Sequence, residues 1–288
     1  MRARVGARAG RARSAVPRRV GTGRAHGDRP IGIFDSGIGG LTVVRALRKL
    51  LPDEDLIYLG DTGRYPYGTK SADVVRRYSF ENTEFLVAKG IKILVVACNT
   101  STAVALDALQ ERYPIPVVGV VEPGAQAAAQ ATRNRKVGVV ATEGTIRSGE
   151  YTRALRRLRP DLEIYTRACP LFVPLAEEGW VDNEVAQLAA RLYLGSLAQS
   201  GIDTLILGCT HYPLLRSVIR ATIGRGVRLI DSGVVTAAAV QAVLTQQALL
   251  RAGRGGAGSF FVTDAPERFM KVGARFLGGP VDAVQIER

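Results

Sequence analysis

The stretch LILGCTHYPLL, residues 205–215, ends an apolar run with a cysteine, a threonine and a histidine side by side. A related stretch, LVVACNTST at residues 94–102, places another cysteine at the matching position of another apolar run. Short runs of this kind, rich in branched aliphatic residues, are typical of buried strands in a parallel sheet. The sequence therefore predicts two related strand ends, each with a cysteine followed by polar residues.

Outward from these two stretches, short apolar runs alternate with amphipathic segments and glycine-rich turns. This alternation predicts the strand–helix–strand units of a parallel sheet with helices on both faces. A helix is predicted over 183–199 from apolar residues at helical spacing, which are Val185, Leu188, Ala189 and Leu192. The predicted strands cover residues 31–34, 56–60, 93–97, 117–121, 137–141, 163–168, 204–208 and 228–231.

The two halves of the chain resemble each other in sequence. GIKILVVACNT at 90–100 aligns with GIDTLILGCTH at 201–211, VVGVV with VRLID, and IGIFDSG with VGVVATEG. This internal duplication predicts an α/β fold of two similar parallel-sheet domains related by a pseudo-twofold axis. Ligands of open α/β sheets bind at the carboxyl ends of the strands, so we expect the active site in the cleft between the two domains.

Most of the net charge of +13 lies at the N-terminus, where residues 1–29 hold nine Arg and one Asp. Few large apolar residues occur there, which predicts a disordered Arg-rich tail. The rest of the chain is close to charge balance, as in an enzyme that acts on a small anion. The three cysteines form no CxxC motif and no apolar run is long enough to cross a bilayer, so we expect free thiols and a cytoplasmic protein.

Cys98 and Cys209 are followed at once by polar residues that a buried strand would avoid without partners, whereas Cys169 reads as a packing residue. A cysteine hydrolase could pair Cys209 with His211, but that mechanism leaves Cys98 unused. A redox pair usually has closer spacing. Two-base proton transfer at one carbon uses both thiols symmetrically, and it indicates a racemase or epimerase.

Other polar residues are placed to assist these thiols. His211 lies two residues beyond Cys209, and the carboxylates Asp35 and Glu177 are candidates to partner the thiols or a substrate ammonium. The glycines of DSGIGG resemble a dinucleotide-binding loop only weakly, because Thr42 stands where that motif needs glycine, although Asp61 could hold a ribose. No lysine follows an apolar strand as a Schiff-base lysine would, so we expect no cofactor and no metal.

Seven motifs occur in order along the chain, and together they span residues 31–215. They are IGIFDSGIGGLTV, LGDTGRYPYGTKS, VVACNTSTAVAL, GVVEPG, TEGT, CPLFVPLAEEG and LGCTHYPLL. With these motifs the chain resembles the glutamate racemase family of the aspartate/glutamate racemase superfamily.

The resemblance implies that Cys98 acts on D-glutamate and Cys209 on L-glutamate, with no cofactor. It implies that Asp35 and His211 assist the respective thiols, with Glu177 near His211. The substrate contacts that it implies are Asp35, Ser36, Tyr67, Gly68, Asn99, Thr100, Thr210 and His211, with Thr142 and Thr145 as further contacts.

The family fold implies a first α/β domain of residues 30–121 plus 231–288 and a second of residues 122–230. We expect a homodimer whose product, D-glutamate, feeds peptidoglycan synthesis and thereby cell wall biogenesis and cell shape. Aspartate racemase is the nearest alternative, because the same thiol pair could serve a substrate one methylene shorter. From another class, the basic tail could bind nucleic acid or a topoisomerase.

Overall fold

The structure is a computed structural model that describes residues 26–287. Ten strands and eleven α-helices are found in this part of the chain. The strands are β1 (Ile31–Asp35), β2 (Leu56–Gly60), β3 (Ile93–Val96), β4 (Val117–Gly119), β5 (Lys136–Ala141), β6 (Glu163–Ala168), β7 (Thr204–Gly208), β8 (Arg228–Asp231), β9 (Gly258–Val262) and β10 (Val284–Gln285). The helices are α1 (Leu41–Leu50), α2 (Ala72–Ala88), α3 (Asn99–Arg112), α4 (Val121–Ala131), α5 (Glu143–Ser148), α6 (Glu150–Leu158), α7 (Phe172–Glu178), α8 (Glu184–Gln199), α9 (Arg216–Ile223), α10 (Ser232–Gln246) and α11 (Pro266–Leu277).

The strands form two parallel sheets with the same internal order. The larger sheet runs β10-β9-β2-β1-β3-β4 and the smaller runs β6-β5-β7-β8. Thus β2-β1-β3-β4 repeats as β6-β5-β7-β8, and the repeat pairs β3 with β7, as the sequence alignment predicts. The prediction of two similar parallel-sheet α/β halves is confirmed.

All eight predicted strands are present, and β2, β6, β7 and β8 have the predicted bounds. The predicted strand 117–121 is wrong at its end, because β4 stops at Gly119 and α4 begins at Val121. The sequence analysis missed β9 and β10, which extend the larger sheet beyond β2. The division into 30–121 plus 231–288 and 122–230 stays a prediction.

The N-terminal segment is only partly within the described residues. Residues 1–25 of the predicted tail lie outside them, together with the nucleic-acid contact considered for it. Residues His26–Asp28 form a 3-10 turn, and the Gly27 carbonyl accepts a hydrogen bond from Lys92 Nζ at 2.7 Å. The prediction of disorder is therefore wrong for this last part of residues 1–29, which is held by a buried ammonium group.

Helix α8 buries a different face from the one that its large apolar residues suggest. Its buried residues are Ala186, Ala189, Ala190, Leu194 and Leu197. Val185, Leu188 and Leu192 are instead 51%, 52% and 74% exposed. A stripe of small residues lets α8 lie close to the core, which leaves the three large side chains on the outside.

No helix within residues 26–287 is both long enough and apolar enough to span a bilayer.

Candidate active site

Two thiols line one cavity between the sheets. Cys98 follows β3 and precedes α3, and Cys209 follows β7, so the related strands of the two halves deliver the two cysteines. Both side chains are buried, and both line a cavity of about 270 Å³. Because the carboxyl ends of parallel strands share one edge of a sheet, two facing edges enclose the site, as the duplication predicts.

Most of the predicted substrate contacts line this cavity. They are Ser36, Tyr67, Gly68, Asn99, Thr100, Thr142, Thr210 and His211. Asp35, Thr145 and Glu177 are buried but do not line it. These three lie behind the wall, where they contact residues that do line the cavity.

Three threonine hydroxyls join the two halves at one end of the cavity. Thr100 Oγ1 lies 3.0 Å from Thr142 Oγ1 and 3.1 Å from Thr145 Oγ1, and the last two lie 3.0 Å apart. The loop of the larger half approaches them closely, since a Cβ atom at Gly68 would lie 2.8 Å from Thr142 Cβ. Hydroxyl groups so arranged can donate hydrogen bonds to an anionic group of a ligand.

Two buried polar atoms beside the thiols have no partner among the described residues. Asp35 Oδ2 accepts a hydrogen bond from the Gly37 N–H at 3.2 Å, whereas Asp35 Oδ1 accepts none. Asn99 Oδ1 accepts from the Tyr151 hydroxyl at 2.7 Å, whereas Asn99 Nδ2 donates to no group. A buried polar atom without a partner costs free energy. A ligand with both a cationic and an anionic group would satisfy this acceptor and this donor.

The Cys98 thiol lies in a negative, desolvated environment. Burial and the Asp35 carboxylate raise its pKa to about 11, while hydrogen bonds from Ser101 and Ser36 oppose the shift. Burial also raises the pKa of Asp35, against the His211 charge and the N–H groups of Gly40, Gly37 and Ser36. At neutral pH Cys98 is therefore a protonated thiol that can donate a proton.

The Cys209 thiol contacts a histidine–glutamate pair. His211 Nδ1 lies 3.8 Å from Cys209 Sγ, and His211 Nε2 lies 3.1 Å from Glu177 Oε1. Burial disfavours a charged imidazole, but hydrogen bonds with Cys209 and Glu177 outweigh it and raise the pKa of His211 to about 10. An imidazolium at this position lies within reach of the Cys209 sulfur. The two thiols thus have opposite surroundings, one beside a carboxylate and one beside an imidazolium.

The loop after β1 lies close against Thr210 and His211. A Cβ atom at Gly39 would lie 2.3 Å from Thr210 Oγ1 and 2.4 Å from His211 Nδ1, so only glycine fits there. This close approach is the structural role of a glycine in DSGIGG. Asp61 is the residue that would bind the ribose if DSGIGG were a dinucleotide-binding loop. It accepts hydrogen bonds from Arg64 Nε at 2.8 Å and from the Thr263 hydroxyl at 3.0 Å. Its carboxylate is occupied by protein partners.

The sequence analysis did not single out several residues that line the cavity. They are Tyr65, Pro66, Thr69, Glu143, Pro170, Val173 and Pro174. Six of them belong to the motifs LGDTGRYPYGTKS and CPLFVPLAEEG, and these motifs were the available sequence signal. Cys169 is fully buried in the hydrophobic core and does not line the cavity, in agreement with a packing role. Within residues 26–287 no group of three or more His, Cys, Asp or Glu residues is arranged to hold a metal ion.

The chain is similar to known racemases in sequence and in structure. Residues 41–242 match the family model described as Asp/Glu/Hydantoin racemase. A protein named glutamate racemase from Geobacter metallireducens is 58% identical over 257 residues, which is 89% of this chain and 95% of that protein.

Two solved structures have the same fold. A glutamate racemase isoform from Bacillus anthracis matches with a TM-score of 0.88 and 40% identity over 90% of this chain and 97% of that chain. Glutamate racemase from Francisella tularensis in complex with D-glutamate matches with a TM-score of 0.86 and 38% identity over 91% and 98% of the two chains. Taken with the paired cysteines at related strand ends, these similarities show that the chain belongs to the Asp/Glu/Hydantoin racemase family.

Proposed function

We propose that this protein interconverts L- and D-glutamate by proton transfer between two thiols at the substrate α-carbon, without a cofactor. The observation that carries the proposal is that Cys98 and Cys209, from related strand ends, line the same cavity. Relatives named glutamate racemase at up to 58% identity support glutamate as the substrate rather than aspartate.

In the proposed reaction, the Cys209 thiolate removes the α-proton of L-glutamate and becomes a thiol. The Cys98 thiol donates its proton to the other face of the same carbon, which yields D-glutamate and a Cys98 thiolate. The reverse reaction starts from that thiolate. His211 supports the charged form of Cys209, and Asp35 keeps Cys98 protonated until the α-carbon accepts the proton.

The polar groups of the cavity suit an amino acid that carries two carboxylates. We assign the substrate ammonium to the side of Asp35, whose Oδ1 is without a protein partner among the described residues. We assign the carboxylates to Asn99, Thr210 and the hydroxyls of Thr100, Thr142 and Thr145. Ser36, Tyr67, Gly68 and His211 complete the proposed set of contacts.

Incubation of the purified protein with L-glutamate in deuterated water tests this function. We expect the optical rotation to fall to zero while the α-proton is replaced by deuterium, because each inversion passes through a thiol that exchanges with solvent. L-aspartate is the matched control, and we expect it to keep its rotation. Loss of rotation with aspartate but not with glutamate would overturn the proposed substrate.

The proposed product places the enzyme before peptidoglycan synthesis, in the cytoplasm, where D-glutamate is incorporated. We further propose that the protein acts as a homodimer. The exposed residues Val185, Leu188 and Leu192 on one face of α8 support this, because a helix normally turns such side chains towards a partner.

The charges on α8 favour a second copy of the chain as that partner. Glu184, Leu188 and Arg191 recur at the i, i+4, i+7 spacing of one helical face. Two antiparallel copies of α8 that cross near Leu188 would place Glu184 of each copy opposite Arg191 of the other. A twofold interface requires such self-complementarity.

Leu188→Lys tests this interface. We expect the wild-type protein to sediment with twice the chain mass of 30.8 kDa and Leu188→Lys to sediment as a single chain, because a charge cannot be buried unpaired in an apolar interface. Val234→Lys, at another position that is 58% exposed, is the control and should leave the mass unchanged. A wild-type monomer, or a dimer that survives Leu188→Lys, would contradict the proposal.

A further inference from the structure

Glu177 is held by groups from both sides of the cleft. Its Oε1 accepts from His211 Nε2 at 3.1 Å, and its Oε2 accepts from Arg268 Nη2 at 3.2 Å. Arg275 Nη1 also donates to the Glu177 backbone carbonyl at 3.1 Å. Both arginines lie on α11, seven residues apart and therefore on the same face of the helix, and α11 packs against α1. The carboxylate that orients His211 is therefore anchored by a helix of the larger half.

Tyr65 makes a second contact with this pair from the same half. Its hydroxyl interacts with the Glu177 carboxylate, and its ring stacks on the His211 ring with centroids 6.2 Å apart and planes 25° apart. Burial and the Glu177 charge raise the Tyr65 pKa, so the phenol stays a hydrogen-bond donor. Phe276 of α11 meets the edge of the imidazole at a centroid distance of 5.1 Å.

These contacts cross the cleft. Glu177, His211 and Cys209 follow β6 and β7 of the smaller sheet, whereas Tyr65 follows β2 of the larger sheet and α11 packs against α1 beside it. Any movement that separated the two sheets would draw Arg268 and Tyr65 away from Glu177. The Glu177 carboxylate would then no longer be held in place beside His211, and His211 would also lose its ring contacts. Both of these orient His211 Nδ1 towards Cys209.

We propose that Arg268 and Tyr65 are positioning residues that clamp Glu177 across the cleft, so that His211 serves Cys209 only when the two sheets are closed on the substrate. The inference rests on the proposed function and deepens it, since it couples one of the two proton-transfer groups to closure of the cleft. Neither residue touches the reacting atoms. Both act through Glu177, and this common route can be tested.

Arg268→Ala should lower kcat for glutamate about tenfold with little change in KM, because misplacement of a group by a fraction of an ångström costs rate rather than binding. Arg268→Lys retains the charge and should recover most of the rate. Glu178→Gln is the matched control, because Glu178 Oε1 lies 3.9 Å from the same Arg268 guanidinium and has no contact with His211. We expect Glu178→Gln to leave kcat unchanged.

If Arg268 and Tyr65 act through the Glu177 carboxylate, replacing them should have little effect on kcat once that carboxylate has been removed. In a Glu177→Gln background, Arg268→Ala and Tyr65→Phe should each lower kcat far less than in the wild-type protein. Losses of the same factor in both backgrounds would overturn the inference, since they would show that these residues act elsewhere.

A thiol-labelling experiment separates this inference from the proposed substrate. Iodoacetamide labelling of the folded protein, followed by mass spectrometry, gives the alkylation rate of Cys209 relative to Cys98. Arg268→Ala should lower this ratio by about tenfold, because a misplaced imidazolium stabilises the Cys209 thiolate less. The experiment needs no turnover, so it holds even if glutamate is not racemised. An unchanged ratio of the Cys209 to the Cys98 alkylation rate, together with a wild-type kcat, would contradict the proposed clamp.

Discussion

Replacing either Cys98 or Cys209 with serine should lower glutamate racemisation by about a thousandfold in both directions. Serine keeps the size of the side chain, but its hydroxyl is far too weak an acid to exchange a proton with carbon at neutral pH, and general acid–base groups are typically worth about 10²- to 10⁴-fold. Because both thiols take part in each inversion, neither single variant should retain a fast direction. Polarimetry that starts from L-glutamate and from D-glutamate measures the racemisation rate in each direction.

Exchange of the α-proton should distinguish the two variants. In deuterated water, Cys209→Ser should still exchange the α-proton of D-glutamate without inversion, because Cys98 can remove it and return a deuteron to the same face. Cys98→Ser should do the same with L-glutamate only. Cys169→Ala is the control, since Cys169 is buried away from the cavity, and it should racemise at the wild-type rate. Near-normal racemisation by either serine variant would rule out the two-thiol mechanism.

The largest expected effect on stability comes from Glu54→Ala. The Lys92 ammonium is buried against the Glu54 carboxylate and donates to the carbonyls of Gly27 at 2.7 Å and Leu249 at 2.8 Å. Glu54 Oε1 also accepts from the Arg251 N–H at 2.9 Å. Removing the carboxylate leaves a buried ammonium without a counter-charge, which costs about 3–5 kcal/mol. Urea unfolding followed by circular dichroism measures the change in the free energy of unfolding.

Glu84→Ala is the matched control for this stability prediction. Glu84 pairs with Arg112 at 3.5 Å, but both side chains are mostly exposed, so its loss should cost at most about 1 kcal/mol. The double variant Glu54→Ala, Lys92→Met removes both buried charges and should recover much of the loss. If Glu54→Ala cost no more than Glu84→Ala, the buried pair would not hold the segments at Gly27 and Leu249 in place.

The strands were predictable because a buried parallel strand is encoded by adjacent residues. A run such as LVVA at residues 94–97 is apolar on both faces, so its pattern needs no knowledge of the neighbouring strand. Strand β9 was missed for the opposite reason. Its residues GSFFV form a strand by pairing with β2 near the other end of the chain, and β10 pairs only with β9.

The proton-transfer residues could also be predicted from the sequence. Asp35 ends β1, Cys98 lies two residues beyond β3, and Cys209 directly follows β7. Each parallel sheet brings such positions to one edge. The role of Arg268 could not be predicted, because an arginine on an amphipathic helix has the same sequence pattern whether it is solvated or paired. The face that α8 buries could not be predicted for a similar reason, since periodicity shows which residues share a face but not what that face meets.

The sequence by itself determined the two-fold repeat of the α/β halves, the pair of cysteines and the residues next to them, because these depend on short-range patterns that occur twice. Only the tertiary structure decided which groups surround each thiol. Burial beside Asp35 raises the pKa of Cys98, whereas His211, oriented by Glu177 and by Arg268 and Tyr65 from across the cleft, lies against Cys209. Electrostatic interactions depend on distance in space and on exclusion of water, and neither quantity is encoded in the spacing of residues along a chain.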